Sequence, residues 1–181
     1  SMMILLAAIV LGGTIPMGVL WLLNVTDTKV RTRKELDNVL TVPFLGDIPR
    51  HGTRKGEDTD AIVVHESGRD SVSEAFRIIR TNMEFMRVKS DNLQVVMFTS
   101  ANPGAGKTFV SSNLAMSIAQ TNKKVVLVDV DIRKGTLSVI FSNPSGRMGL
   151  THYLSGHTDN LDDIIGVSEE YDKLDIVFSG P

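Results

Sequence analysis

The stretch 99–115, TSANPGAGKTFVSSNLA, restricts this chain more than any other. It follows the strand-forming run LQVVMF and opens into a helical pattern predicted from about Lys107 to Gln120. Two further short apolar runs, at 125–128 and 175–178, join the one at 95–98. Runs of this length suit strands buried on both faces of a parallel sheet. Their alternation with helices predicts an α/β layer fold.

The types of residue in the loop have a chemical reason. ANPGAGKT ends in Gly-Lys-Thr, and Ala101 stands where the first glycine of a phosphate-binding loop is usual. Glycines at 104 and 106 let backbone N–H groups turn inward and approach an anion closely. The helix starting at Lys107 adds the positive end of its dipole. Lys107 would reach the β- and γ-phosphates of a nucleoside triphosphate, and the Thr108 hydroxyl would ligate Mg²⁺. The fold expected is therefore a P-loop NTPase-like parallel sheet flanked by helices.

A second constellation is VVLVDVDIRKG. Asp129 and Asp131 follow a buried strand at its C-terminal end, where ligands bind in open α/β sheets. Carboxylates there hold Mg²⁺ through water or accept a proton from an attacking group. Arg133, always charged, is placed to face a phosphate or another chain.

The beginning of the chain has a different character. Residues 2–23, MMILLAAIVLGGTIPMGVLWLL, carry no charge and as a helix would extend roughly 33 Å, enough for a hydrocarbon core of about 30 Å. Membrane helices tolerate Pro16 and the Gly12–Gly13 pair, and Trp21 suits an interface. A secretory signal fits poorly: there is no basic n-region, the apolar run is too long and it ends without a small-residue cleavage site. A transmembrane helix is expected over 1–23. Lys29, Arg31, Arg33 and Lys34 then place the rest of the chain in the cytoplasm by the positive-inside rule.

Residues 24–65, rich in Pro, Gly and mixed charge, are expected to form a juxtamembrane linker with one docked apolar piece at 42–48. The nucleotide-binding domain is expected over 66–181. Ser71 and Glu74 have capping-box spacing, and Val72, Phe76, Ile79, Met83 and Met86 form one apolar stripe of a helix. A net charge of −2 gives no basic surface for nucleic acid. The absence of cysteine excludes disulfides and thiolate metal sites, and the four histidines show no ligand spacing.

Together these residues closely resemble the bacterial tyrosine kinases (BY-kinases), the cytoplasmic modules of capsular and exopolysaccharide co-polymerases of the chain-length determinant family. The likeness is carried by SANPGAGKT, by the apolar run ending in Asp129-x-Asp131-x-Arg133, by SEAFRIIRTN with Glu74, Arg77 and Arg80, and by a membrane span preceding VPFLGDIP. The resemblance implies an ATP-dependent protein-tyrosine autokinase that regulates polysaccharide assembly and export. Subunits of a homo-oligomeric ring would transfer phosphate to tyrosines of their neighbours.

By the same resemblance Lys107, Asp129 and Asp131 would be catalytic. Gly104, Ala105, Gly106, Lys107, Thr108, Phe109 and Arg133 would contact ATP, and Thr108, Asp129 and Asp131 would hold Mg²⁺. Glu74, Arg77 and Arg80 would lie at the subunit interface. Implied partners are neighbouring subunits, the polysaccharide assembly and export machinery, a cognate tyrosine phosphatase and the bacterial inner membrane, with the nucleotide-binding domain in the cytoplasm.

The sequence also departs from that pattern. The family's third acidic strand (Walker B) and tyrosine-rich tail are expected beyond residue 181. Tyr153 and Tyr171 are isolated, so neither is nominated as an acceptor. The chain by itself is expected to bind ATP weakly and to transfer little phosphate. Two alternatives share the fold: a ParA/MinD-like ATPase switch, and a catalytically silent co-polymerase domain. The first uses Lys-Gly-Gly-x-Gly-Lys-Thr, and its signature lysine is replaced here by Asn102. Intact Lys107, Thr108, Asp129 and Asp131 speak against the second.

Overall fold

In the computed structural model the residues described are 2–27, 34, 40–50, 61–65, 68–89, 94–141, 148–167 and 171–180. They fall into two units, Ser1–Phe44 and Leu45–Pro181. The first unit is built on α1, Met2–Thr26, a 25-residue helix that runs through Pro16. Its hydroxyls turn back on the helix: Thr14 donates to the Val10 carbonyl at 2.8 Å and Thr26 to that of Leu22 at 2.7 Å. Among the described residues no helix is long and apolar enough to cross a membrane. The side chains at 5, 7–9 and 11 are not among those described, although the helical backbone runs unbroken through them. Lys29, Arg31 and Arg33 also lie outside the described residues.

In the second unit α2, Ser71–Lys89, begins one residue after its actual cap. Asp70, not Ser71, closes the helix: its Oδ1 accepts from the amides of Val72 and Ser73, both at 2.9 Å, and the Ser73 hydroxyl donates to Oδ2. Glu74 pairs forward with Arg77 at 3.1 Å instead of reaching back, so the capping box read from Ser71 and Glu74 does not form. The expected stripe does face the core. Val72, Phe76 and Ile79 are buried, Met83 is half-buried and only Met86 emerges.

Helix α3, Lys107–Ala119, packs across α2, with the rings of Phe76 and Phe109 6.0 Å apart. Asn113, wholly buried, uses all its amide capacity. It accepts from the amides of Val63 (2.7 Å) and Val64 (3.2 Å) and donates to the carbonyls of Ala61 (2.8 Å) and Phe109 (2.9 Å). Residues 62–64, which the sequence places at the end of the linker, are thereby held in the core without regular secondary structure. The apolar piece at 42–48 is in part packed too: Leu45 and Ile48 lie against the core, and Asn82 donates to the Leu45 carbonyl at 2.7 Å.

The sheet has the order β1-β3-β2, with β1 Val125–Val128, β2 Ile165–Val167 and β3 Leu174–Val177. β1 and β3 are parallel, with Val125 opposite Leu174. β2 runs antiparallel to β3, so the sheet is mixed where a parallel one was expected. Only residues 168–173 separate β2 from β3, too few for the crossover of a dozen or more that a parallel pair needs. Short helices α4, Thr136–Ile140, and α5, Leu150–Leu154, and a 3₁₀ turn at Leu161–Asp163 complete the connections.

The strand expected at 95–98 does not form in the described residues. The segment has no regular secondary structure, and Val95 and Met97 are exposed. A groove of about 690 Å³, lined by Val96, Phe98, Leu114, Ile118 and Val125, separates it from β1. An apolar run fixes a preference for extended backbone, whereas a strand requires a neighbour at about 4.8 Å.

Two substitutions test this packing. Asn113→Ala should destabilise the fold by about 3 kcal/mol in urea unfolding, because it strands buried amides of 63 and 64. Asp70→Ala should cost about 1 kcal/mol at neutral pH. Hydrogen bonding by Ser73 holds the Asp70 carboxyl below its ordinary range, so its contribution is complete above about pH 4 and fades as pH falls through the lowered value. The gap between wild type and Asp70→Ala should close in acid.

Candidate active site

The glycine loop and α3 supply a group of unpaired donors. Gly104 and Gly106 adopt φ of +73° and +88°, left-handed values that side-chain-bearing residues rarely take. Gly106 caps α3 without any side-chain hydrogen bond, and the first loop-to-helix bond is Val110 N–H to the Gly106 carbonyl at 2.9 Å. Among the described residues the amides of 104–109 have no acceptor. No atom lies within 4 Å of the Cβ position at either glycine, so the space over the loop is open. Bare amides, a helix N-terminus and open space together fit a phosphate chain.

Lys107 lies at that helix start. Its ammonium donates to the Ser100 hydroxyl at 3.0 Å, and the Ser100 hydroxyl donates to the Asn102 carbonyl at 2.9 Å. Ser100 opens the stretch SANPGAGKT, but sequence reasoning assigns it no role of its own. Phe109, expected to touch a nucleotide, turns its ring against Phe76 and leaves only its N–H for a ligand. Thr108 is half-buried at the first turn of α3, and Ala105 is exposed.

The two aspartates after β1 have different surroundings. Asp129 continues the ladder through its amide, bonded to the Val177 carbonyl at 2.8 Å, and its carboxylate is buried. Oδ1 accepts from the Asp131 amide and Oδ2 from the Leu137 amide, each at 3.1 Å. The carboxylate therefore ties the loop to the start of α4. Gly135, at φ +53°, makes the turn, and a Cβ there would come within 2.9 Å of the Ser179 hydroxyl. Asp131 is exposed, and among the described residues its carboxylate accepts only from the Arg133 amide, at 3.3 Å. Arg133 itself is exposed. Lys107 makes no ion pair with either aspartate among the described residues.

Glu74, Arg77 and Arg80 share a helix but not a role. Glu74 and Arg77 form a solvent-facing pair, and Arg77 also donates to the Gly68 carbonyl at 2.8 Å. Arg80 turns inward and donates to the carbonyl and hydroxyl of Ser117 on α3. Among the described residues no group of three or more His, Asp or Glu gathers as a metal site, so a metal here would take most ligands from phosphates and water.

Residues 96–172 match the CobQ/CobB/MinD/ParA nucleotide-binding domain family. Tyrosine-protein kinase etk of Escherichia coli (strain K12) is 43% identical over 96 residues, covering 53% of this chain and 13% of that protein. Tyrosine-protein kinase YwqD of Bacillus subtilis (strain 168) is 41% identical over 109 residues, 60% of this chain and 44% of that one. Among solved structures, the kinase domain of Escherichia coli ETK superposes with a TM-score of 0.70 at 30% identity, covering 84% of this chain and 61% of that chain. This chain is a relative of the bacterial tyrosine kinases. It spans less than half the length of either full relative. The domain match covers both the glycine loop and the aspartate loop.

The aspartates should separate in a stability measurement. Asp129→Ala removes an acceptor from two amides and should cost about 2–3 kcal/mol in urea unfolding. Asp131→Asn should stay within about 0.5 kcal/mol of wild type.

Proposed function

We propose that this chain is the nucleotide-binding part of an ATP-dependent protein-tyrosine autokinase belonging to a membrane polysaccharide co-polymerase. The observation that carries the proposal is the open glycine loop with its unpaired amides and Lys107, in a chain whose relatives are named tyrosine kinases. In this reading the amides of 104–108 and the Lys107 ammonium hold the β- and γ-phosphates of ATP. Mg²⁺, held by Thr108, Asp129 and water, would neutralise charge on the phosphates. Asp129 keeps the loop in place from the buried side. Asp131, with a carboxylate oxygen uncommitted, accepts the proton of an incoming tyrosine hydroxyl as its oxygen bonds to the γ-phosphorus and ADP departs. Arg133 is exposed beside it to meet phosphate or the neighbouring subunit.

The same proposal divides the chain at 1–23, 24–65 and 66–181, with Leu45, Ile48 and 62–64 of the middle segment packed on the core of the last. At about 1.5 Å per residue the 25 residues of α1 extend roughly 37 Å, which supports a membrane span. The basic residues after it put the nucleotide-binding domain on the cytoplasmic side of a bacterial inner membrane. The exposed Glu74–Arg77 pair supports a ring interface with neighbouring subunits, with Arg80 bracing α2 on α3 from behind. Polysaccharide export machinery and a tyrosine phosphatase are the partners this function requires.

A second reading, an ATPase switch without kinase activity, is favoured by the family matched over 96–172. The protein expressed from its complete gene, incubated with γ-labelled ATP and Mg²⁺, separates the two. Acid-stable phosphotyrosine, reduced about 100-fold or more in Lys107→Met, is the expected result. Phosphate release without protein label would support the switch, and neither product would overturn both.

A further inference from the structure

We infer that Ser100 is a positioning residue for the phosphate-binding lysine. The inference rests on the proposed nucleotide site and adds a residue to it. Two hydrogen bonds define the arrangement. The Ser100 hydroxyl proton is committed to the Asn102 carbonyl at 2.9 Å, a short-range tie within the loop. With that proton fixed, the oxygen presents its lone pairs to the Lys107 ammonium at 3.0 Å.

Lysine is otherwise a poor candidate for a fixed position. Its four-carbon stem loses up to about 2 kcal/mol of rotamer freedom when held, and Lys107 has no carboxylate partner among the described residues. Ser100 bears that ordering cost before a ligand arrives. An ammonium has three donors, so the tether occupies one and leaves two for phosphate oxygens. The tether and the phosphates therefore do not compete. Because Ser100 is neutral, it leaves the positive charge intact, which a carboxylate would cancel. Both residues are half-buried, which limits water as a substitute partner.

Losing the hydroxyl should weaken nucleotide binding without unfolding the chain. Titration with a fluorescent ADP analogue and Mg²⁺ should give a Kd about 3–10-fold higher for Ser100→Ala than for wild type, with Ser100→Thr restoring wild-type affinity. Thermal melts of ligand-free Ser100→Ala should overlay wild type. In the complete protein the KM for ATP should rise by the same factor with kcat little changed. Equal or tighter binding by Ser100→Ala, while Lys107→Met abolishes it, would overturn the inference and leave the site standing. Wild-type affinity in Lys107→Met would remove the site itself. Weak binding in Ser100→Thr as well would show that the loop had merely been disturbed, and the inference would fall.

Discussion

Helix α3 has to satisfy two opposite demands, and the molecule is arranged around them. Its first turn leaves amides without acceptors, tolerable because they lie beneath an open loop. Its body is buried and carries polar side chains, of which Ser112 has no hydrogen-bond partner among the described residues while Asn113 and Ser117 have theirs. Asn113 serves residues 61–64, Ser117 receives Arg80 and Phe109 meets Phe76. Those bonds fix the direction of the helix axis, and with it the direction in which its bare end points. A phosphate site made of backbone amides is only as precise as the helix that presents them.

The aspartate loop obeys the same logic at smaller scale. Asp129 accepts one backbone amide on each carboxylate oxygen, which ties the loop down and leaves one lone pair on each oxygen. Asp131, two residues on, is exposed, with one carboxylate oxygen unpartnered among the described residues. A motif written as Asp-x-Asp looks symmetrical in sequence, yet folding buries one carboxylate and exposes the other.

Much of this was legible in the sequence, for reasons that are local. The α2 stripe at Val72, Phe76 and Ile79 arises from periodicity, and the glycine loop from steric freedom and charge. The β1 strand Val125–Val128 arises from a continuous apolar run, although Val126 and Val128 are exposed where burial on both faces was expected. The features that escaped depend on partners distant along the chain. The core position of 62–64 is set by Asn113 about fifty residues away, and the unpaired state of 95–98 by the groove beside β1. The antiparallel β2 was hidden by its length of three residues. The helix start at Ser71 was legible, but its cap was misplaced by one residue because Asp70 and Ser71 are both good caps, and only Ser73 decides between them. Ser100 could not be found from spacing, since its role exists only once the loop folds Lys107 back toward it.

The central claim is that the amides of 104–108, with the Lys107 ammonium, form a cradle for the phosphates of a nucleotide. A crystal structure of the chain grown with Mg²⁺ and ADP tests it most directly. The β-phosphate oxygens should lie about 3 Å from those amides and from the lysine nitrogen. A nucleotide bound elsewhere, with the glycine loop empty at saturating ADP, would contradict the claim.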